Sequence, residues 1–235
     1  AFLLTDSTMF SINPSLYKGL SYDYKRDFVP VAYAARAPLY LALHPKMGVS
    51  NFADWVALVK SKPGTFSYGS SGVGSIHHLT MESLKAALNL DIQHIPFKGT
   101  GQSVPALVGG QVDMLFSALP SLAGFVKAGQ VRLVANNASK RSSQEPQVPT
   151  IAETLAGFDF APIIGLFAAS GTPAAVVERM SAEMAAVAQM PSVLEQLHAS
   201  GIEAVGGNSA AFGRAVSDEI TRYTKAVNTA GLKPE

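Results

Sequence analysis

Residues 69 to 75 read "GSSGVGS". They lie between a strand pattern, Thr65 to Tyr68, and an apolar helical stripe of Ile76, Leu79, Leu84, Ala87 and Leu88. Two residues would have been enough to turn the chain, so the extra ones point to a task for the backbone. The first N–H groups of a helix lack intrahelical partners, and the helix dipole places partial positive charge there. Glycine lets the backbone approach an anion closely, and hydroxyl groups add donors. Gly69, Ser70, Ser71, Gly72, Gly74 and Ser75 therefore have the make-up of an anion cradle at a helix N-terminus. A plain strand-to-helix connection capped by Ser75 fits the same spacing.

Two further loops tilt the reading towards a ligand. "FKGTG" (97–101) and "SALP" (117–120) also follow strand patterns and contribute Thr100, Gly101 and Ser117. Small polar loops at the carboxyl ends of strands in one sheet converge where open α/β folds bind ligands. "LTDSTM" brings Ser7 and Thr8 to another strand end. Asp6 beside them would repel a carboxylate unless turned away or met by an amine.

Other chemistries fit poorly. Gly69-Ser70-Ser71-Gly72 is followed by Val73, so the G-x-S-x-G elbow is absent. A Walker lysine is missing, and His77 stands where a dinucleotide-binding loop needs its third glycine. His77 and His78 are adjacent, point to different sides of a helix and cannot share a metal. His44, His94 and His198 are scattered and read as surface or core filling. The chain has no cysteine, which excludes disulfides and thiolate chemistry. No catalytic residue, metal site or cofactor is expected. An α/β hydrolase-like enzyme remains the competing class, but no nucleophile and base stand out as a pair.

Composition bounds the partners. Of 235 residues, 48% are hydrophobic and 15% charged, enough for a large core. With 18 basic against 17 acidic residues and no basic stripe, nucleic acid is not expected as a partner. No apolar run is long enough to cross a membrane as a helix. No basic n-region or cleavage site is visible. "AFLLT" reads as the middle of a buried strand, so the sequence is expected to begin after processing or truncation.

Strand and helix patterns alternate, which predicts βα units and a largely parallel sheet. Asn51 to Lys62 has a helical face of Phe52, Trp55, Leu58 and Val59 and is stopped by Pro63-Gly64. "DIQHIP", "GGQVDMLF" and "VRLVANN" carry later strands. "TIAETLAG" reads as a short helix, and Pro173 to Gln189 and Ser209 to Val227 as longer ones. Two long extended runs, Pro30 to Pro45 and "FDFAPIIGLFAAS", read as crossover strands. They predict a discontinuous domain 1 (1–42 and 161–235), a domain 2 (43–160) and a ligand between them.

Three stretches then resemble a known family: "FSYGSSGVGSIHHLTMESLK", "IQHIPFKGTGQSVPALVGGQVDMLFSALPSLAGFVKAGQVRLVA" and "KRSSQEPQVPTIAET". They are similar to Bug-type solute receptors of tripartite tricarboxylate transporters, and "INPSLYKGLSYDYKRDFVPVA" and "GLFAASGTP" agree. The resemblance implies a type II-like periplasmic binding protein of Venus-flytrap form. Each of its two α/β domains would be a mostly parallel sheet flanked by helices. It implies a bacterial periplasmic receptor, not an enzyme, that captures a small organic carboxylate and delivers it to membrane transporter subunits. The family's G-S-x-G-x-G-S loop, which supplies N–H and hydroxyl groups to the ligand, falls on Gly69, Ser70, Gly72, Gly74 and Ser75. Thr100, Gly101 and Ser117 match its other two loops. An export signal and a first glycine-rich βα section are not matched. At roughly 30 residues per unit, about two units are expected before Ala1, leaving the first domain incomplete. If that section is truly absent, the expectation is a homo-oligomer, or a truncated oligomeric fragment that binds no ligand.

Overall fold

The structure is a computed structural model and describes residues 1–234. It divides into two compact units, unit 1 (1–37 and 162–235) and unit 2 (38–161).

Unit 1 begins with β1 (Phe2–Asp6), three single-turn helices, α1 (Thr8–Ser11), α2 (Asn13–Leu16) and α3 (Tyr24–Asp27), and β2 (Phe28–Arg36). Unit 2 supplies β3 (Leu39–Leu43), α4 (Phe52–Ser61), β4 (Ser67–Ser70), α5 (Ile76–Leu88) and β5 (Gln93–Pro96). It continues with α6 (Thr100–Val108), β6 (Met114–Ala118), α7 (Leu119–Lys127) and β7 (Arg132–Asn136). The chain then completes unit 1 with β8 (Ile163–Ala169), α8 (Ala174–Val187), α9 (Pro191–Ala199), β9 (Glu203–Gly207) and α10 (Ser209–Thr229).

The mostly parallel sheets expected from the alternation need correction. The sheet of unit 1 has the order β1-β8-β2-β9, and every neighbouring pair is antiparallel. The reason is interleaving. β1 and β2 run the same way, as a helical crossover requires, but β8 returns from unit 2 and inserts between them. β9 then runs with β8 on the far side of β2. The sheet of unit 2 is mixed, in the order β5-β4-β6-β3-β7. β5, β4 and β6 are parallel neighbours, whereas β3 is antiparallel to both β6 and β7.

Local chemistry explains other differences. The run from Pro30 to Pro45 is two strands in two sheets, because Pro38 has no N–H to continue a ladder. Ala37 N–H donates to Pro162 O at 3.0 Å. The apolar start is not buried: Phe2 is 43% and Leu4 59% exposed, because among the described residues β1 pairs with β8 alone. "SALP" is not a loop. Ser117 and Ala118 end β6, and Leu119 and Pro120 open α7, where a first-turn proline is tolerated. The turn after Thr150 is a 3-10 turn, Ile151–Glu153, closed by a capping box.

Each sheet buries apolar side chains by strand alternation. On β8, Ile163 and Phe167 join Phe10, Phe212 and Val216 in one core, while Leu166 and Ala168 join Val31, Ala32 and Val177 in another. In unit 2, Tyr40, Ala42 and Leu115 pack with Val104, Leu107, Leu119 and Leu122. α10 carries Glu219 among its buried residues. Burial pushes the Glu219 carboxyl up to about 7. The Ser7 hydroxyl is bonded to that carboxyl and lies 3.2 Å from Ile163 O.

The ends of unit 2 are pinned together by Asn137, which is fully buried. Its Oδ1 accepts from Leu39 N–H at 2.8 Å, and its Nδ2 donates to Phe160 O at 2.9 Å. Its backbone N–H donates to Leu39 O at 2.9 Å, and its carbonyl accepts from Phe160 N–H at 2.8 Å. Asn137→Ala strands a buried donor and a buried acceptor. The expected loss is about 3 kcal/mol in a urea titration; a loss under about 1 kcal/mol would mean water replaces the amide.

Candidate functional site

The three parallel strands of unit 2 bring three helix starts to one edge. Ser70 pairs with Pro96, and Gly69 pairs with both Ile95 and Leu115, so β4, β5 and β6 end on the same side. α5, α6 and α7 begin there. Gly69, Ser70, Ser71, Gly72, Gly74, Ser75, Thr100, Gly101 and Ser117 all lie along this edge. Ser7 and Thr8 lie in unit 1. Ser7 is committed to Glu219, and the Thr8 hydroxyl and N–H both bond the Asp6 carboxylate.

The glycines of the loop have separate duties. Gly72 and Gly74 have φ of 131° and 75°, a region that L side chains rarely adopt. Gly69 is held by space: a Cβ there would lie 3.3 Å from both the Phe97 ring and Val112 Cγ2.

Much of the loop's hydrogen bonding is internal. Gly72 O accepts from Ser75 N–H at 3.2 Å, Ser75 Oγ at 2.7 Å and Ser70 Oγ at 3.1 Å. Ser75 Oγ in turn accepts from His78 N–H at 3.3 Å, which caps α5. The N–H groups of Gly72 and Gly74 are occupied too, by Ser70 Oγ and His78 Nδ1, each at 3.1 Å. The donors left to a ligand at α5 are those of its first turn, at Ile76 and His77, which have no acceptor within the helix.

Three histidines support the loop; His77 and His78 stand at the helix start where a loop contact is open to them, whereas His94 is the one that the sequence presents as surface or core filling. His77 Nδ1 lies 2.7 Å from Ser71 Oγ, and His94 Nε2 lies 2.7 Å from Ser70 Oγ. The rings of His78 and His94 stack at 4.1 Å and 15°, and His94 stacks on Tyr68 at 4.8 Å. Tyr68 O–H donates to Glu82 Oε1 at 2.6 Å, and Glu82 pairs with Lys85 at 2.6 Å. Burial pushes the imidazoles of His77 and His94 down to about 4. It also lowers His78, more than neighbouring Glu82 raises it. His78 and His94 are 16 positions apart in sequence, and only the β4–β5 pairing brings them together.

The other two helix starts lack side-chain caps. Gly99 precedes α6 with φ of 124°, and Ala118 precedes α7; neither supplies a capping side chain. The Ser117 hydroxyl, in a residue only 1% exposed, has no partner. Asn136, at the end of β7, is also buried with its Nδ2 unpaired. Lys98 and Gly101 are exposed at the edge. The arrangement can hold an anion through backbone donors and hydroxyl groups. Among the described residues, no group of three or more histidine, aspartate or glutamate side chains is placed to hold a metal. No described helix is long and apolar enough to cross a membrane.

Comparison with known proteins agrees with this architecture. A UPF0065 protein from the tcbD-tcbE intergenic region of Pseudomonas sp. (strain P51) is 33% identical over 96% of this chain and 68% of its own length. The solved structure described as R. palustris Rpa4515 with adipate has a TM-score of 0.83 at 30% identity, covering 100% of this chain and 79% of its own. The periplasmic binding protein BugD gives 0.79 at 26% identity, with 100% and 79% covered. The fold is thus that of a two-domain periplasmic binding protein, and the family that the chain matches is one of receptors, not enzymes. Residues 2–232 match the family model described as the tripartite tricarboxylate transporter family receptor, and the chain belongs to that family as a Bug-type member.

Proposed function

We propose that this chain is a periplasmic receptor that captures a small organic carboxylate at the α5–α6–α7 edge of unit 2 and delivers it to membrane transporter subunits. One observation carries the reading. Two neighbouring helices, α6 and α7, start without side-chain caps beside the buried, unpartnered hydroxyl of Ser117. Unpaired N–H groups at helix starts favour an anion, and a carboxylate suits them in charge and geometry. The adipate in the Rpa4515 structure and the transport family support the same class.

A thermal-shift screen tests it, with adipate, malate, citrate, benzoate and glutamate. A ligand at 100 times its Kd adds about 2.7 kcal/mol, which raises the melting point of a chain this size by roughly 5–10 °C. Adipate or another acid is expected to give that shift, and the neutral diamide of the same acid none. No shift with any acid would overturn the reading.

A further inference from the structure

We infer that His78 and His94 are positioning residues for the anion loop, and that the loop is held only while the His78 ring is neutral. The inference deepens the carboxylate reading and rests on it for its functional consequence. The geometry fixes the protonation state of His78. A backbone N–H can only donate, so the bond from Gly74 N–H requires a bare lone pair on His78 Nδ1. The ring proton of His78 therefore sits on Nε2. A second proton would have to enter at Nδ1, and would turn an acceptor into a donor facing a donor. Gly74 would lose its anchor at φ of 75°, one residue before the cap of α5.

His94 couples to the same event. Its ring lies 4.1 Å from that of His78, so a charge on one opposes a charge on the other. Its Nε2 meets Ser70 Oγ, which also accepts from Gly72 N–H and reaches Gly72 O. The pair thus grips both halves of the loop, Ser70–Gly72 from β5 and Gly74 from α5.

The charged and titratable groups around the pair do not offset this. β4 contributes the Tyr68 phenol, which burial keeps protonated well above its ordinary range. α5 contributes Glu82 and Lys85, whose opposite charges meet at 2.6 Å and act on the rings with opposite sign. His77 faces Ser71 rather than the stack. A neutral pair is the state that the surroundings select.

The experiment follows the amide resonance of Gly74 from pH 7.5 to 4 in the unliganded protein, and adipate binding by calorimetry at pH 7 and 4.5. Three proteins are compared: wild type, His78→Asn and His78→Ala. Asparagine places an oxygen where Nδ1 accepts and does not titrate. In wild type the Gly74 resonance should shift with acid, and adipate should bind at least tenfold more weakly at pH 4.5 than at pH 7. H78N should show a pH-independent Gly74 resonance and lose at least threefold less affinity with acid than wild type does. It shares adipate's own titration, so the comparison removes that effect. H78A should bind at least tenfold more weakly than wild type already at pH 7. If His78 variants do not fold, His94→Gln, which keeps an amide against Ser70 and removes the charge that opposes a proton on His78, should move the Gly74 titration to higher pH than in wild type. A Gly74 resonance that ignores pH in wild type, or equal acid losses in wild type and H78N, would overturn the inference. A Gly74 resonance that titrates in a protein binding no adipate at pH 7 would support the positioning role and count against adipate as the ligand.

Discussion

Gly101→Glu is expected to abolish most carboxylate binding while leaving the fold at least as stable as before. Gly101 is the second residue of α6, exposed, and a Cβ there meets nothing within 4 Å. Replacing a helical glycine gains up to about 1 kcal/mol of helix propensity, and an acid in the first turn adds about 0.5 kcal/mol from the helix dipole. The new carboxylate would stand at the same unpaired N–H groups that the ligand is proposed to use. Two like charges about 5 Å apart at an effective dielectric constant of about 20 repel by about 3 kcal/mol, roughly two orders of magnitude in Kd. Gly101→Gln, of the same shape without the charge, should keep affinity within about fivefold. Calorimetric titration with adipate and a thermal melt on each variant read both quantities. Equal affinity of G101E and wild type would place the ligand away from α6.

Gly165→Ala is expected to be the most damaging single methyl group in unit 1. Gly165 lies in β8 between β1 and β2, paired with Thr5 and Tyr33. Its missing Cβ leaves room for the ring of Phe212: an added carbon would sit 2.1 Å from Cζ and 2.5 Å from both Cε atoms. That ring cannot simply swing away. It is fully buried, with ring centres of Phe167 at 4.7 Å and Tyr33 at 5.7 Å. Overpacking a filled core costs about 3 kcal/mol at the upper end of the usual range, which lowers the melting point by roughly 6–12 °C. The double variant with Phe212→Ala should lose clearly less than the two single losses added, because each change makes room for the other. A melting point within about 2 °C of wild type for G165A would mean α10 shifts freely over the sheet.

Much of unit 2 is legible in the chain. Gly-rich punctuation, apolar stripes and strand runs locate β4, β5, β6 and the helices after them within a few residues. The loop at 69–75 stands out for its composition. Unit 1 is less legible, because alternation of strand and helix sets each strand's direction but not its neighbour. Nothing near β2 says that β8 will insert beside it. β1 shows a related limit: an apolar run reads the same at the edge of a sheet as in its middle. Glu219 hides because the stripe of Phe212, Val216, Ile220 and Tyr223 leaves no hint that a buried carboxyl is paired with Ser7. In the site, the glycines suggest free amides, yet two of those amides are taken by Ser70 and His78. Such bonds depend on side-chain directions that spacing does not fix.

The fourfold hydrogen bonding of Asn137 also bears on the order of events during synthesis. Within residues 1–37 β1 and β2 do not pair with each other; β8, the strand that joins them, emerges only after unit 2. Closing a free loop of roughly 120 residues would cost about 4 kcal/mol of chain entropy. Once unit 2 has folded, Asn137 ties Leu39 to Phe160, and the two chain ends leave side by side. The ribosome thus delivers β8 next to a waiting β2 with that closure already made. Until then β1 and β2 lack the strand that joins them, and that interval is when a holdase chaperone would have most to protect.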